Sequence, residues 1–158
     1  MMNIRKAVAG DLELLVDLRM EMLHAVITNG DEEQWKISRA RTEQYYREAI
    51  ESGEHIAYLA FDGERCVGTG GICFYRVLPT YYKPTGEKSY IINMYTHPEY
   101  RRQGIASEIL RRLVADSLSR KVAYISLEAT EEGKKLYEKC GFGYLRSEMQ
   151  YINETYEG

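Results

Sequence analysis

Tyr90-Ile91-Ile92-Asn93-Met94-Tyr95-Thr96-His97-Pro98-Glu99-Tyr100-Arg101-Arg102-Gln103-Gly104-Ile105-Ala106 decides the fold, because the hydrophobic period changes halfway along it. Residues 90–96 are rich in β-branched and aromatic types and read as a strand. Pro98 cannot donate to a sheet ladder and biases His97 toward an extended form, so the strand stops there. Beyond the loop, Ile105, Ile109, Leu113 and Leu118 recur at helical spacing, with Ala106, Leu110 and Val114 beside them. Ser107, Glu108, Arg111, Arg112 and Asp116 take the opposite face of the same helix. The stretch is strand, short basic loop with one glycine, then amphipathic helix to about Ser119.

That order suits an anion. The first turn of a helix carries N–H groups with no intrahelical partner, and the helix dipole favours negative charge there. Gly104 lets the backbone approach a ligand closely, and Ala106 keeps the next turn slim. Arg101 and Arg102 add guanidinium forks that match phosphate oxygens. The same residues also suit a plain connecting loop with solvated arginines. No Gly-x-x-x-x-Gly-Lys-Ser/Thr occurs, and Gly68-Thr69-Gly70 meets Cys73 where a dinucleotide fingerprint needs its third glycine.

Working outward, 158 residues with 44% apolar and 28% charged content fit one domain with a real core. We expect a single domain over 1–158 with a loose tail at 153–158. No apolar run reaches the ~20 residues that span a bilayer, and Met1-Met2-Asn3-Ile4-Arg5-Lys6 lacks a signal-peptide core. The expected location is cytoplasmic, away from membranes. A net charge of −3 argues against nucleic acid as a partner. Between Arg101 and Lys121, however, six basic residues face two acidic ones, which suits a small polyanion. Cys66, Cys73 and Cys140 lack metal-type pairing, and His24, His55 and His97 lack ligand spacing, so no metal site is expected.

In chain order, Met2–Lys6 reads as a strand, and Asp11 as the N-cap of a helix to about Ile27. Residues 31–37 read as loop or first turn, followed by a helix over 38–52 that Gly53 ends. Strands at 56–61 and 65–77 form a hairpin around Asp62-Gly63. Gly68, Gly70 and Gly71 in the second imply a bulge or a close approach to the backbone. Residues 78–88 form a loop carrying Tyr81 and Tyr82. Residues 122–127 read as a strand parallel to the central one, because a helix intervenes. Thr130 caps a helix over 131–139, and residues 144–146 and 149–152 read as two last antiparallel strands. The fold class is α/β in the mixed α+β sense: a mostly antiparallel sheet with one parallel pair and about four helices.

Residues 95–106 resemble the acyl-CoA signature Arg-x-x-Gly-x-Gly/Ala of the GNAT superfamily of N-acyltransferases. Leu136-Tyr137-Glu138-Lys139-Cys140-Gly141-Phe142 resembles that family's second signature, Leu-Tyr-x-x-x-Gly-Phe, and the element order agrees over nearly the whole chain. The resemblance implies a GNAT-like fold and acetyl transfer from acetyl-CoA, as cosubstrate, directly to an amine in a ternary complex. It implies that N–H groups of Arg102, Gln103, Gly104, Ile105 and Ala106 hold the CoA pyrophosphate, with Arg101 and the Ser107 hydroxyl beside them. Met94, Tyr95 and Thr96 would pair with pantetheine like an extra strand. A backbone N–H at Met94 or Tyr95 would polarise the thioester carbonyl. Tyr137 would protonate the departing thiolate, a phenol near pKa ~10 being protonated at neutral pH; on residue pattern alone it reads as a core tyrosine on an amphipathic helix.

Two departures stand out. The last helix begins Thr130-Glu131-Glu132-Gly133 where many members have an Asn that bonds pantetheine, leaving the Thr130 hydroxyl as substitute or as a simple cap. The central strand offers Asn93 where many members carry a basic Glu. Glu128, or a water chain from Tyr75, Tyr82 or His55, are candidates for the general base. These departures motivate the alternative of a non-catalytic CoA-binding sensor, and Cys140 as an acyl-enzyme nucleophile is a further one. The acceptor is expected to be a primary amine of a small molecule or protein. Asp31, Glu32 and Glu33 are as readily solvated surface as a lure for it, and a homodimer stays open.

Overall fold

The computed structural model describes residues 2–156; positions 1, 157 and 158, and with them the end of the expected loose tail, lie outside the described residues. The chain forms two compact units, one through Glu128 and one from Ala129.

The first unit holds a five-stranded sheet. Its strands are β1 (Met2–Lys6), β2 (His55–Asp62), β3 (Arg65–Arg76), β4 (Glu87–Thr96) and β5 (Ile125–Ser126). They lie in the order β1-β2-β3-β4-β5, antiparallel except for the parallel β4–β5 pair. Three helices accompany it: α1 (Leu12–Val26), α2 (Glu32–Ser52) and α3 (Ile105–Ser119). The fifth strand is two residues long rather than six. Only Ser89↔Ile125 and Tyr90↔Ser126 are paired, so the apolar run at 122–127 earns little ladder.

Strand alternation sorts the side chains onto two faces. On one face Tyr58 reaches Asp116 of α3 through a 2.8 Å hydrogen bond. Ile105, Ile109, Leu110 and Leu113 of α3 are buried there, each stabilising by about 1.5–3 kcal/mol. On the other face Ala57 and Leu59 join Leu15, Val16, Leu18 and Tyr46 in the core beneath α1 and α2. The glycines of β3 explain how close these layers come. A Cβ on Gly70 would stand 2.3 Å from Met94 Sδ and 2.7 Å from Ile109 Cγ2. A Cβ on Gly71, pointing the opposite way, would stand 2.4 Å from His55 Nε2. Both halves of the glycine expectation therefore hold, because the ladders of β3 also carry bulges.

Local chemistry sets the helix ends. Asp11 precedes α1, but its carboxylate does not cap it. A 3-10 turn (Ala9–Asp11) intervenes, and the carboxylate instead accepts from Val8 N–H at 2.8 Å and from both Arg5 nitrogens at 2.7 Å. The Arg5 fork holds the Asp11 carboxyl below its ordinary value. Residues 32–37 prove helical: Asp31 accepts from Gln34 N–H at 2.9 Å and starts α2 a turn and a half before residue 38. Gly53 closes α2 in the left-handed region, φ 76°.

The second unit contains α4 (Lys134–Lys139). It starts three residues later than expected because Thr130 organises a turn first, accepting from Gly133 N–H at 3.2 Å. At its end, Phe142 N–H donates to Tyr137 C=O at 3.0 Å and Gly141 N–H to Glu138 C=O at 3.1 Å, with Gly141 at φ 90°. This is a Schellman closure, and the Tyr137 and Phe142 rings meet 6.0 Å apart across it. The spacing Leu-Tyr-x-x-x-Gly-Phe is therefore what ends this helix. The two last strands are not formed. Tyr144, Leu145, Met149, Tyr151 and Ile152 are exposed with no strand partner among the described residues, so their β propensity finds no ladder.

Candidate active site

The site begins at a defect in β4. Gly71 faces Ile92 and Thr69 faces Tyr95, so two steps of β3 span three of β4. The extra residue is absorbed at Asn93, which sits at φ 61°, a left-handed value that Asn tolerates better than most side chains. Past this bulge β4 has no β5 partner: among the described residues β5 pairs only at its start. Residues 91–96 thus present one backbone edge beside a split in the sheet. Met94 sends its sulfur over Gly70 on the α3 side, whereas Asn93 turns to the opposite face. Tyr95 donates its hydroxyl to Glu21 at 3.1 Å, and Thr96 Oγ1 is buried without a hydrogen-bond partner.

The basic loop follows directly. Pro98–Tyr100 make a 3-10 turn, anchored by His97 N–H on Val67 C=O (2.8 Å) just before it and by Tyr100 OH on Asp62 (2.9 Å). Arg101 folds back onto Thr96 C=O at 3.3 Å, and Gln103 onto Glu99 C=O at 3.2 Å. Arg102 and Gly104 both take positive φ, 64° and 83°, which coils the exposed loop into the first turn of α3. No side chain caps that turn among the described residues, and an added Cβ on Gly104 would meet nothing within 4 Å. Here glycine serves its dihedral and an open approach. Ile105 and Ala106 anchor the turn from below, and Ser107 stays exposed. An open helix start beside exposed arginines is a receptor for phosphate oxygens.

On the α1/α2 side of the bulge lies a cavity of about 420 Å³. Its floor is Asn93, Tyr46 and His55, and its rim includes Arg19, Arg41 and Tyr45. Asn93 Nδ2 donates to Tyr46 OH at 3.4 Å, and its Oδ1 accepts from Arg19 at the same distance. The Tyr45 hydroxyl lies 3.0 Å from both His55 Nδ1 and Cys73 Sγ. Burial pushes His55 down to about 4 and Tyr46 up to about 12, and it raises Tyr45 and the Cys73 thiol as well. At neutral pH the floor is therefore uncharged.

The candidate bases do not converge. His55 is 3% exposed, with Nε2 packed over Gly71. Glu128 is exposed two residues beyond β5 and acts on the Tyr90 phenol. Tyr75 and Tyr82 are exposed, the latter edge-on to Tyr81. In the second unit, Tyr137 is half-buried against Gly133 and Phe142, the Thr130 hydroxyl is engaged as a turn acceptor, and Cys140 is exposed at the end of α4. Arg19, Arg41 and Tyr45 escape a linear reading, because two helices of unrelated pattern bring them to one rim. Among the described residues no three His, Cys, Asp or Glu group as a metal site, and no helix is long and apolar enough to cross a membrane.

Comparison with known proteins gives the same assignment. The acetyltransferase (GNAT) family model matches residues 20–142. A predicted acetyltransferase from Clostridium acetobutylicum, solved with acetyl-CoA, is 32% identical over 96% of both chains, with a TM-score of 0.85. A GCN5-related N-acetyltransferase from Ralstonia eutropha is 23% identical, covering 96% of this chain and 99% of its own, with a TM-score of 0.80. Glucosamine-6-phosphate N-acetyltransferase from Arabidopsis thaliana shares the fold at 16% identity and a TM-score of 0.70, over 96% and 98% of the two chains. A search of the curated proteins returns no match. With the bulged, half-paired strand running into an open basic turn, and with the family model spanning most of its length, this chain belongs to the GNAT acetyltransferase family.

Proposed function

We propose that this acetyltransferase-family protein carries an acetyl group from acetyl-CoA directly to a primary amine, and that residues 1–158 act as one domain in doing so. The observation that carries the reading is the uncapped first turn of α3, placed immediately after a strand whose last residues are free of β5. The diphosphate takes N–H donors from Arg102, Gln103, Gly104, Ile105 and Ala106, with Arg101 and Ser107 at its edge. Pantetheine lies along Met94, Tyr95 and Thr96, where the unpaired backbone edge supplies strand-like hydrogen bonds.

In the reaction the neutral amine attacks the thioester carbonyl carbon and a C–N bond forms. The carbonyl oxygen takes up negative charge, and the N–H of Met94 donates to it. A fixed donor of this kind acts without reorganisation as charge develops. Collapse breaks the C–S bond, and the thiolate takes its proton from the Tyr137 phenol, the role its motif implies. The proton lost by the amine passes toward solvent, with Glu128 as the carboxylate candidate. Thr130, already a turn acceptor, contributes least. The test is thiol release from acetyl-CoA against a panel of primary amines, with coenzyme binding measured in parallel. Amine-dependent release supports the reading; binding without release on any amine favours the sensor, and absence of binding contradicts both.

A further inference from the structure

The cavity beside Asn93 has an unbalanced charge. Four arginines belong to α1 and α2, and two of them are neutralised: Arg39 by Asp17 at 2.7 Å and Arg47 by Glu43. The other two, Arg19 and Arg41, are the ones on the cavity rim. Arg19 meets only the neutral Asn93 oxygen, at 3.4 Å, and no carboxylate pairs with Arg41 among the described residues. Ser38 and Thr42 place hydroxyls on the same α2 side, and no carboxylate lines the cavity. The field is felt inside: Arg19 draws down the Tyr46 phenol and the Cys73 thiol against the rise that burial causes, while Glu54 makes only a minor contribution at Tyr45. A half-buried guanidinium with one long bond to a neutral acceptor is incompletely satisfied, and a planar oxyanion is the group that its fork fits.

A purely cationic amine would be repelled from this rim. We infer that the acceptor is a primary amine that also carries an oxyanion, a carboxylate or a phosphate monoester, held by Arg19 and Arg41 while the amine reaches toward the β4 bulge. This rests on the acetyl-transfer reading for the chemistry, but the binding of the acceptor does not depend on turnover. Two guanidiniums from different helices fix the anionic end, and the uncharged floor of Tyr46, His55 and Asn93 favours the neutral, nucleophilic amine over the ammonium form.

The experiment pairs each acid with its neutral twin: ω-amino carboxylates with their amides, and aminoalkyl phosphates with the corresponding amino alcohols. Specificity is read as the kcat/KM ratio within each pair, and binding as the rise in melting temperature that each compound produces without coenzyme. The expected result is a preference of about tenfold or more for the anionic twin, as one charge-assisted contact supplies. The ratio should fall toward one in Arg19→Gln and Arg41→Gln and persist in Arg39→Gln, whose guanidinium pairs with Asp17 outside the rim. The carboxylate and phosphate arms show which oxyanion fits. Equal or reversed preference, or no anion-dependent stabilisation of the parent protein, overturns the inference. Anion-dependent stabilisation with no thiol release would uphold it and count against acetyl transfer instead.

Discussion

The two faces of the sheet use adjacent glycines for opposite ends. Toward α3, Gly70 admits Met94 and Ile109, and the layer closes into a contact of Ile and Leu that includes a buried polar pair, Ser89 and Ser117, at 2.9 Å. Toward α1 and α2, Gly71 admits the His55 ring, and the layer stays apart far enough to leave a cavity with arginines on its rim. The close face fixes the start of α3 and the edge of β4 relative to each other. The open face leaves room for a second molecule. One strand thus separates the face we propose for the coenzyme from the face we propose for the acceptor.

The largest effect we expect belongs to the second unit. Tyr137→Phe should lower kcat by about a hundredfold with little change in coenzyme affinity; equal turnover in the mutant and parent would remove the phenol from the acid role. On the open face, acid should unmask His55. Its folded value of about 4 lies below its ordinary 6.5, so burying the ring carries no protonation cost above about pH 6.5. Stability then falls as pH drops toward 4, by roughly 3 kcal/mol in total. Denaturant melts at pH 7 and pH 4.5 measure this, and His55→Gln should flatten that part of the profile.

Next comes the glycine pair itself. Gly70→Ala should cost about 1–3 kcal/mol and weaken acetyl-CoA binding, because Met94 and Ile109 must move. Gly71→Ala should lose comparable stability yet keep coenzyme affinity, because the displaced ring belongs to the other face. Equal loss of coenzyme affinity in both would break the division between the faces. The smallest effect is Ser89→Ala, about 1 kcal/mol, which leaves the Ser117 hydroxyl buried without that partner.

The close face was the legible one. Residues 90–119 switch from strand to helix periodicity within a few positions, and the structure places β4 and α3 where that switch falls. The open face was not, because Arg19, Arg41, Tyr45 and His55 come from three elements and share no spacing. Asp31 with Gln34 three residues on was a readable helix start, hidden by the polar run between them. Residues 144–152 show the converse: Tyr144, Tyr151 and Ile152 have strand-forming character, yet they stay exposed and pair with no strand among the described residues. The motif around Tyr137 was legible as a family signature, and its hydrogen-bond geometry shows that the same residues also stop the helix.

The most direct test of the central claim is a structure of the protein with acetyl-CoA bound. The account predicts diphosphate oxygens within hydrogen-bond reach of the backbone N–H groups from Gln103 to Ala106, and the thioester carbonyl oxygen facing the N–H of Met94. Coenzyme bound elsewhere, or a side chain of the protein filling the turn at Gly104, would contradict it.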